Sequence, residues 1–398
     1  MFQSLTPLPP DPILGLTAAF RQDTNPNKVD LGIGVYKDEK GNTPVMKAVK
    51  QAEEAILDSQ VTKAYLGPMG SPEYNSAVAN LILGKDLADN IGGRRVTIQT
   101  PGGCGGLRIA AEFIYTANAS ATIWVSDPTW ANHKPLIGSA GLKFKSYPYY
   151  DYATNSVNFE GMIEALKNAA RDDVVLLHGC CHNPSGADLS MEQWQVIKNT
   201  ALAQGFTVFV DLAYQGMGAG LSEDVYGVRL LAESLPELVV VSSCSKNFGL
   251  YRERTGAITL ICESEKACNA SSTLLASAAR SNYSMPPDHG AAIVQLILNS
   301  PELHSIWEAE LTEIRNRINS LRLKFAEKLN ASTIPKDFSF IKNEKGMFSF
   351  LGASTNEIQE LISNYGIYLV NSSRINVASI NDSNIDYLIE SITEVLRK

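Results

Sequence analysis

The central part of the chain alternates short, continuously apolar segments with segments whose apolar residues recur at helical spacing. The apolar segments, which predict strands, are RVTIQT, ATIWVSD, DVVLLHG, GFTVFVD, ELVVVSS and TGAITLI. TPVMKAVKQAEEAILDS and SMEQWQVIKNTALAQG predict helices between them. Apolar strands separated by helices are typical of a mostly parallel sheet covered on both faces. We therefore expect a large α/β domain over residues 45–300.

The two ends of the chain have a different pattern. Residues 1–44 begin with a stretch rich in Pro, Asp and Asn, which predicts an extended arm with one helical turn in PILGLTAAFRQ. A long amphipathic pattern starts at residue 301 and predicts one helix that joins two domains. After it, FSFI and GMFSFLG predict short strands, STNEIQELISNYG a helix, IYLVNSSRINVAS a strand pair, and NIDYLIESITEVLRK a final helix. We expect residues 301–398 and the N-terminal arm to form a smaller α+β domain.

Composition narrows the class of protein. The 398 residues are 44% hydrophobic and 19% charged, as in a soluble globular protein of about two domains. The net charge of -8 argues against nucleic acid or an anionic membrane as a partner. No apolar run approaches the ~20 residues of a membrane span, and the N-terminus lacks the pattern of a secretory signal. Six cysteines in a chain of this length do not resemble a disulfide framework, so we expect a reducing, cytoplasmic compartment.

Polar clusters follow the predicted strands, where the chemistry of parallel sheets gathers. PGGCGG stands ahead of a helix and offers free N–H groups to a phosphate, although such a turn is as often only a tight turn. It is not a P-loop, because no Lys-Ser or Lys-Thr follows. Asp211 ends the strand GFTVFVD. It could cap a helix, bind a metal, or lie beneath a protonated ring nitrogen.

HGCCHNPSG contains four residues that are able to bind a metal, His178, Cys180, Cys181 and His182. Zinc ligands are usually two to four residues apart, and adjacent cysteines on a strand point to opposite faces. We therefore expect no metal here and read the segment as packed small residues at a strand end.

Lys246 follows the apolar run ELVVV and Ser-Ser-Cys-Ser. A structural lysine there would extend to water. A nucleophilic lysine would be desolvated, with its pKa lowered further by a cation such as Arg254. That arginine could also clamp a phosphate with Ser243 and Ser245. A reactive amine, a phosphate cradle and a buried carboxylate at strand ends together fit pyridoxal phosphate.

The sequence resembles the aspartate/aromatic aminotransferases, which are class I, fold-type I pyridoxal-phosphate enzymes. The resemblance covers the whole chain and rests on the segments DPILGL, VDLGIGVYKDEKGNTPV, DPTWANH, HGCCHNPSGADLS, DLAYQGMGAGL, SSCSKNFGLYRERTGA, NYSMPP, GMFSF and SSRINVA. It implies that Lys246 forms the Schiff base and moves the proton, and that Asp211 pairs with the pyridinium nitrogen. Tyr214 and Asn183 would bind the ring's 3-oxygen, and Trp130 would stack on the ring beside the substrate. The implied phosphate ligands are Gly102, Gly103, Cys104, Ser243 and Arg254.

The same resemblance implies a homodimer whose subunits share their active sites. Tyr65 of one subunit would reach the phosphate bound by the other. Arg374, with Gly34 and Asn183, would bind the substrate α-carboxylate. Arg280, from the partner subunit, would bind the side-chain carboxylate of aspartate or glutamate.

Two residues depart from the usual pattern of that family. Cys104 replaces a hydroxyl in the phosphate turn by a thiol, which is a weaker donor. Met285, in NYSMPP, replaces a polar residue near the substrate side chain and is expected to favour aromatic or aliphatic side chains.

We expect ping-pong transfer of an amino group from L-aspartate to 2-oxoglutarate, giving oxaloacetate and L-glutamate. The alternative is an aromatic amino acid aminotransferase, with the possibility of dual specificity. A β-elimination or decarboxylation on the same fold would not need a second oxo acid. A non-catalytic binding module would leave Lys246 without a purpose beside Asp211 and Arg254.

Overall fold

The structure is a computed structural model that describes residues 2–7 and 12–397. Asp11 of the DPILGL segment lies outside the described residues. The chain divides into two compact units, a small one of Met1–Thr43 with Ile318–Lys398 and a large one of Pro44–Arg317. The second division falls within the long helix Pro301–Asn330, whereas the sequence pattern predicts a boundary at the start of that helix.

The strands of the described chain are β1 (Val29–Asp30), β2 (Arg95–Pro101), β3 (Thr122–Asp127), β4 (Lys143–Pro148), β5 (Tyr150–Asp151), β6 (Ser156–Val157), β7 (Val174–His178), β8 (Thr207–Leu212), β9 (Leu238–Ser243), β10 (Thr255–Ile261), β11 (Phe348–Phe350), β12 (Ile367–Tyr368) and β13 (Arg374–Asn376). The α-helices are α1 (Pro12–Gln22), α2 (Lys47–Ser59), α3 (Pro72–Leu83), α4 (Lys85–Ile91), α5 (Gly102–Ala117), α6 (His133–Gly138), α7 (Phe159–Leu166), α8 (Met191–Gln204), α9 (Tyr226–Ser234), α10 (Glu265–Asn282), α11 (His289–Asn299), α12 (Pro301–Asn330), α13 (Thr355–Tyr365) and α14 (Ile385–Leu396). Short 3₁₀ segments are Phe2–Ser4, Gly92–Arg94, Glu223–Val225, Ser339–Asn343 and Val377–Ser379.

The large unit is built on a seven-stranded sheet with the order β2-β10-β9-β8-β7-β3-β4. Only β10 runs against its neighbours, β2 and β9, and the other pairs along the sheet are parallel. Strands β7, β9 and β10 are buried at every position, because helices cover both faces. The predicted α/β unit with a mostly parallel sheet is confirmed.

The small unit is α+β and contains both chain ends. Strand β1, from the N-terminal arm, pairs in parallel with β12, and β11 pairs antiparallel with β13. Its core gathers apolar residues from α13, α14 and the second half of α12, among them Phe325, Ile358, Leu361, Leu388 and Ile392. The predicted smaller domain formed by both chain ends is therefore confirmed.

Three local predictions in the small unit are wrong. The segment PILGLTAAFRQ forms an eleven-residue helix instead of a single turn. The segment FSFI lies at a 3₁₀ turn, because Phe338 and Ile341, three positions apart, are both fully buried. Strands β12 and β13 do not pair with each other, because each finds its partner elsewhere, in β1 and in β11.

No helix of the described residues is long and apolar enough to cross a bilayer.

Candidate active site

Most of the residues that the sequence singles out lie at one edge of the seven-stranded sheet. The carboxyl ends of β2, β3, β7, β8 and β9 lie at this edge, because these strands run in the same direction. Strand β10 runs the other way, so its beginning lies there too. The candidates at this edge are Gly102, Gly103, Cys104, Trp130, Asn183, Asp211, Tyr214, Ser243, Lys246 and Arg254.

Asp211 lies in β8 and is 7% exposed. Its Oδ2 is 3.0 Å from Nε2 of His133, and because a carboxylate only accepts, the imidazole donates. The other ring nitrogen of His133 lies 2.8 Å from the Thr129 hydroxyl. Burial raises the pKa of Asp211, but the hydrogen bond from His133 and the nearby His178 and Lys246 outweigh it and leave the pKa lowered. This carboxylate is an anion at neutral pH.

A row of rings surrounds this carboxylate. The ring centroids are 5.3 Å apart for Trp130 and His133, 5.2 Å for His133 and His178, and 4.2 Å for His178 and His182, which in turn stacks on Tyr149 at 4.0 Å. Burial lowers the pKa of His178 to about 3 and that of His182 well below its usual value. Both imidazoles are therefore neutral near pH 7.

His133 was not singled out from the sequence, although DPTWANH contains it. The available signal was its position six residues after β3, at the edge where the other candidates gather.

Lys246 is partly buried in the turn that follows β9. Its Nζ lies 4.7 Å from the centroid of the Tyr214 ring. Burial lowers the pKa of the Lys246 amine; Asp211 and Cys104 oppose this shift, and Arg254 adds to it. A lowered pKa increases the neutral fraction of the amine, which is the nucleophilic form.

A narrow cradle lies where β2 passes into α5. Gly102 has a φ of +67°, and a Cβ on it would lie 2.6 Å from Nη2 of Arg254. A Cβ on Gly256 would lie 2.6 Å from the carbonyl carbon of Gly102, so β10 approaches the turn closely. The other guanidinium nitrogen, Nη1, donates to the carbonyl of Tyr251 at 2.9 Å. The free N–H groups of the first turn of α5 and a fixed guanidinium together suit a phosphate.

Ser243 and Cys104 complete the wall of this cradle. Ser243 is buried, and its Oγ lies 3.7 Å from the point where a Cβ on Gly103 would stand. The same hydroxyl accepts from the backbone N–H of Ser245 at 3.2 Å. Burial raises the pKa of the Cys104 thiol, although Arg254 and Lys246 act against this shift. Cys104 is therefore a neutral thiol and a weak donor.

Asn183, Tyr214 and Trp130 lie around the same edge. Asn183 is 7% and Tyr214 5% exposed, and the Tyr214 ring lies beside the Lys246 amine. Trp130 is partly buried and packs against the apolar core under α5.

Gly34 and Arg374 belong to the small unit, where they form a separate cluster. The Arg374 Cζ lies 4.2 Å from the centroid of the Phe348 ring, and its Nη2 donates to the carbonyl of Gly32 at 2.7 Å. A Cβ on Gly34 would lie 3.1 Å from the same phenyl ring. Arg374 is 5% exposed, so the cluster holds its guanidinium in place.

Tyr65 and Arg280 lie at exposed positions and not in the buried cluster around Lys246 of their own chain. Tyr65 is 93% exposed. Arg280 is exposed at the end of α10, where its guanidinium donates to the hydroxyl of Ser284.

The four possible metal ligands of HGCCHNPSG do not form one group. Three of them fall in two clusters of the described residues that could hold an ion, His178 with His133 and Asp211, and Cys180 and Cys181 with Asp224, whereas His182 belongs to neither. In the second cluster the Asp224 carboxylate already accepts backbone N–H groups from Gly216, Gly218 and Ala219, which indicates a structural role.

The donor set of the large unit matches the three functional groups of pyridoxal phosphate. Lys246 is an amine for its aldehyde, Asp211 is an anion for its ring nitrogen, and the cradle of Gly102, Ser243 and Arg254 suits its phosphate. The cradle is a specific fit, because a single added Cβ at Gly102 would fill it.

Comparisons with known proteins agree with this chemistry. A family model described as aminotransferase class I and II matches residues 26–392. The aspartate aminotransferase of Escherichia coli (strain K12) is 45% identical over 396 residues, with 100% of both chains covered. The aromatic-amino-acid aminotransferase of Paracoccus denitrificans is 44% identical, covering 99% of this chain and 100% of that protein.

Among solved structures, the chain is similar to the aromatic-amino-acid aminotransferase of Burkholderia pseudomallei, a structure with covalently bound pyridoxal phosphate. That protein is 43% identical, with a TM-score of 0.97 and coverage of 100% and 99% of the two chains. The cytoplasmic aspartate aminotransferase of Saccharomyces cerevisiae is 34% identical, with a TM-score of 0.96 and coverage of 100% and 98%.

Proposed function

The chain belongs to the class I and II aminotransferases, and from this premise we propose that it is a pyridoxal-phosphate enzyme that transfers the amino group of L-aspartate to 2-oxoglutarate. The products are oxaloacetate and L-glutamate. One observation carries the proposal: the Lys246 amine, its pKa lowered by burial, shares the carboxyl edge of one sheet with the anion of Asp211 and the Arg254 cradle.

Bound pyridoxal phosphate supplies an aldehyde that reacts with amines and a ring that withdraws electrons from the substrate Cα. Asp211 would keep a proton on the ring nitrogen, because its own pKa is lowered and His133 holds it in place. Lys246 would move the proton at the substrate Cα, since burial lowers the pKa of its amine. Tyr214, whose ring lies beside the Lys246 amine, would orient that amine, and Tyr214 and Asn183 would bind the ring's 3-oxygen.

The phosphate is held by the first turn of α5 at Gly102, Gly103 and Cys104, by Ser243 and by Arg254. A helix N-terminus and a guanidinium both favour a dianion. In this arrangement the cofactor's two charged ends are bound by opposite charges, the phosphate by Arg254 and the ring nitrogen by Asp211.

Two arginines would select the substrate. Arg374, with Gly34, would bind the α-carboxylate, since its guanidinium is buried and fixed by Phe348 and Gly32. Arg280 of a partner subunit binds the second carboxylate. An unpaired guanidinium in a closed site penalises a neutral side chain, which ranks aspartate first.

Aromatic amino acids are the second candidate substrates, and one residue favours them. Met285 directly follows Ser284, the residue to which Arg280 donates, so an apolar residue is the chain neighbour of the residue that contacts the proposed dicarboxylate ligand. Trp130 would border the same substrate. Relatives with 38–44% identity are named aromatic-amino-acid aminotransferases.

We further propose a homodimer with shared active sites. The run from α2 into the following loop leaves large apolar side chains outside the chain's own core, with Leu57 81%, Val61 97% and Tyr65 93% exposed. Contiguous exposed apolar residues mark interaction surfaces. All six cysteines are free, which supports a reducing compartment such as the cytoplasm.

The test is turnover of L-aspartate with 2-oxoglutarate by the purified protein supplied with pyridoxal phosphate. We expect parallel lines in double-reciprocal plots, no turnover without the oxo acid, and a loss of turnover in Lys246→Ala. The exposed Lys85→Ala on α4 is the matched control and should behave as the unaltered protein. Product formation without an oxo-acid acceptor would instead indicate elimination or decarboxylation. The values of kcat/KM for aspartate, tyrosine, phenylalanine and tryptophan rank the substrates.

A further inference from the structure

Two surface segments of the large unit meet at the sulfur of Met285. The backbone N–H of Leu66 donates to Met285 Sδ at 2.9 Å. A second contact between these segments joins the Gln60 amide to the Asp288 carboxylate at 3.4 Å. The loop of residues 60–66 is therefore joined to residues 283–288 by contacts that span 228 and 219 positions of the chain.

Within its own chain the loop gains little from packing. Val61 is 97% and Tyr65 93% exposed, and Leu66 is 38% exposed. Its attachment to the rest of the same chain therefore depends on hydrogen bonds, while a partner subunit of the proposed homodimer would cover the exposed side chains. The bond from Leu66 to Met285 fixes the peptide unit that directly follows Tyr65.

The other side of the contact is firmly placed. Helix α10 ends at Asn282, and Ser284 adopts a left-handed φ of +67° with its N–H donating to the carbonyl of Ala279 at 3.1 Å. The guanidinium of Arg280, on the last turn of the helix, donates to the hydroxyl of Ser284. Met285 is the residue directly after Ser284, so its position is set by the same helix end that holds Arg280.

We propose that Met285 is a positioning residue that joins the Tyr65 loop to the end of α10, so that Tyr65 and Arg280 are presented together. This inference rests on the proposed function, in which Tyr65 serves the partner's cofactor phosphate and Arg280 the partner's substrate. A thioether is a weak acceptor, so the joint is weaker than one made by an amide oxygen.

Two substitutions distinguish the effect of the hydrogen-bond acceptor from the effect of side-chain volume. Met285→Leu keeps an apolar side chain of similar volume and removes the acceptor. Met285→Gln keeps the length and supplies a stronger acceptor oxygen. Met191→Leu, at a 56% exposed position on α8, is the matched control. The holoenzymes are compared by hydrogen exchange of the peptide that contains Leu66 and by the rate of pyridoxal phosphate release to a trapping protein.

We expect about two- to fivefold faster exchange at Leu66 and faster cofactor release for Met285→Leu, since a weak hydrogen bond is lost. Met285→Gln should match or exceed the protection of the unaltered protein, and Met191→Leu should equal it. Unchanged exchange in Met285→Leu, or equal losses in the Leu and Gln variants, would overturn the inference. If the unaltered chain took up no cofactor, the proposed function would fail, but the exchange at Leu66 would still test the joint.

Discussion

Replacing Gly102 by alanine is the smallest change that should damage cofactor binding selectively. The added Cβ would lie 2.6 Å from Nη2 and 3.0 Å from Cζ of Arg254. The guanidinium must retreat by about 0.8 Å to reach an ordinary contact distance of 3.4 Å. That retreat removes it from the phosphate that the cradle is proposed to hold.

This substitution should change two free energies, that of folding and that of cofactor binding. Alanine at a φ of +67° costs roughly 1–2 kcal/mol of folding free energy. A displaced guanidinium loses a hydrogen bond to a charged group, about 1.5–3 kcal/mol. The second cost falls on the cofactor, so affinity for pyridoxal phosphate should fall about 10- to 150-fold.

Gly41 provides the matched control, because it has a φ of +78° with nothing within 4 Å of a built Cβ. Gly41→Ala should lose similar stability and keep full cofactor affinity. Equilibrium titration of the cofactor-free proteins with pyridoxal phosphate measures the affinity, and thermal unfolding measures the stability. If Gly102→Ala bound the cofactor as tightly as Gly41→Ala, the phosphate cradle would be misplaced.

Three further predictions follow from the same site. Asp211→Asn keeps the size of the side chain but removes its charge, so turnover should fall about 10²- to 10³-fold while the cofactor stays bound; near-normal kcat would contradict the role of the anion. The pKa of His178 is held by burial at about 3, against 6.5 for an exposed histidine, so the unfolded chain binds the extra proton between these values. The free energy of unfolding should therefore decrease as the pH drops below about 6.5, by up to about 1.4 kcal/mol per pH unit. His178→Phe should make the free energy of unfolding less dependent on pH in this range. Cys104→Ser replaces a weak donor by a hydroxyl and should tighten the cofactor about fivefold, as measured by titration; weaker binding would show that the thiol does not face the phosphate.

The sheet could be predicted because its strands are buried on both faces. Such strands are apolar at nearly every position, as in Leu238–Ser243 and Thr255–Ile261, and helices separate most of them along the chain. The direction of β10 could not be predicted, because burial pattern does not report strand direction. Short elements of the small unit were harder to predict from the sequence. Phe338 and Ile341, for example, suit either a strand or a 3₁₀ turn until their neighbours in the fold are known.

The residues of the candidate site could also be predicted only in part. Lys246 and Arg254 flank apolar strands and Asp211 lies near the end of one, so their shared edge follows from the pattern of the chain. His133 did not stand out, because only the folded chain brings its imidazole within 3.0 Å of Asp211, 78 positions later. The contact of Met285 with Leu66 is also invisible in the sequence, since it joins two loops through a backbone N–H.

The proposed function requires the amine of Lys246 to hold the cofactor aldehyde. Treatment of the holoenzyme with borohydride, followed by proteolysis and mass spectrometry of the peptides, locates the lysine that does so. We expect a reduced pyridoxyl group on Lys246 and its absence in Lys246→Ala. A pyridoxyl group on another lysine, or on none, would mean that Lys246 does not bind the cofactor aldehyde.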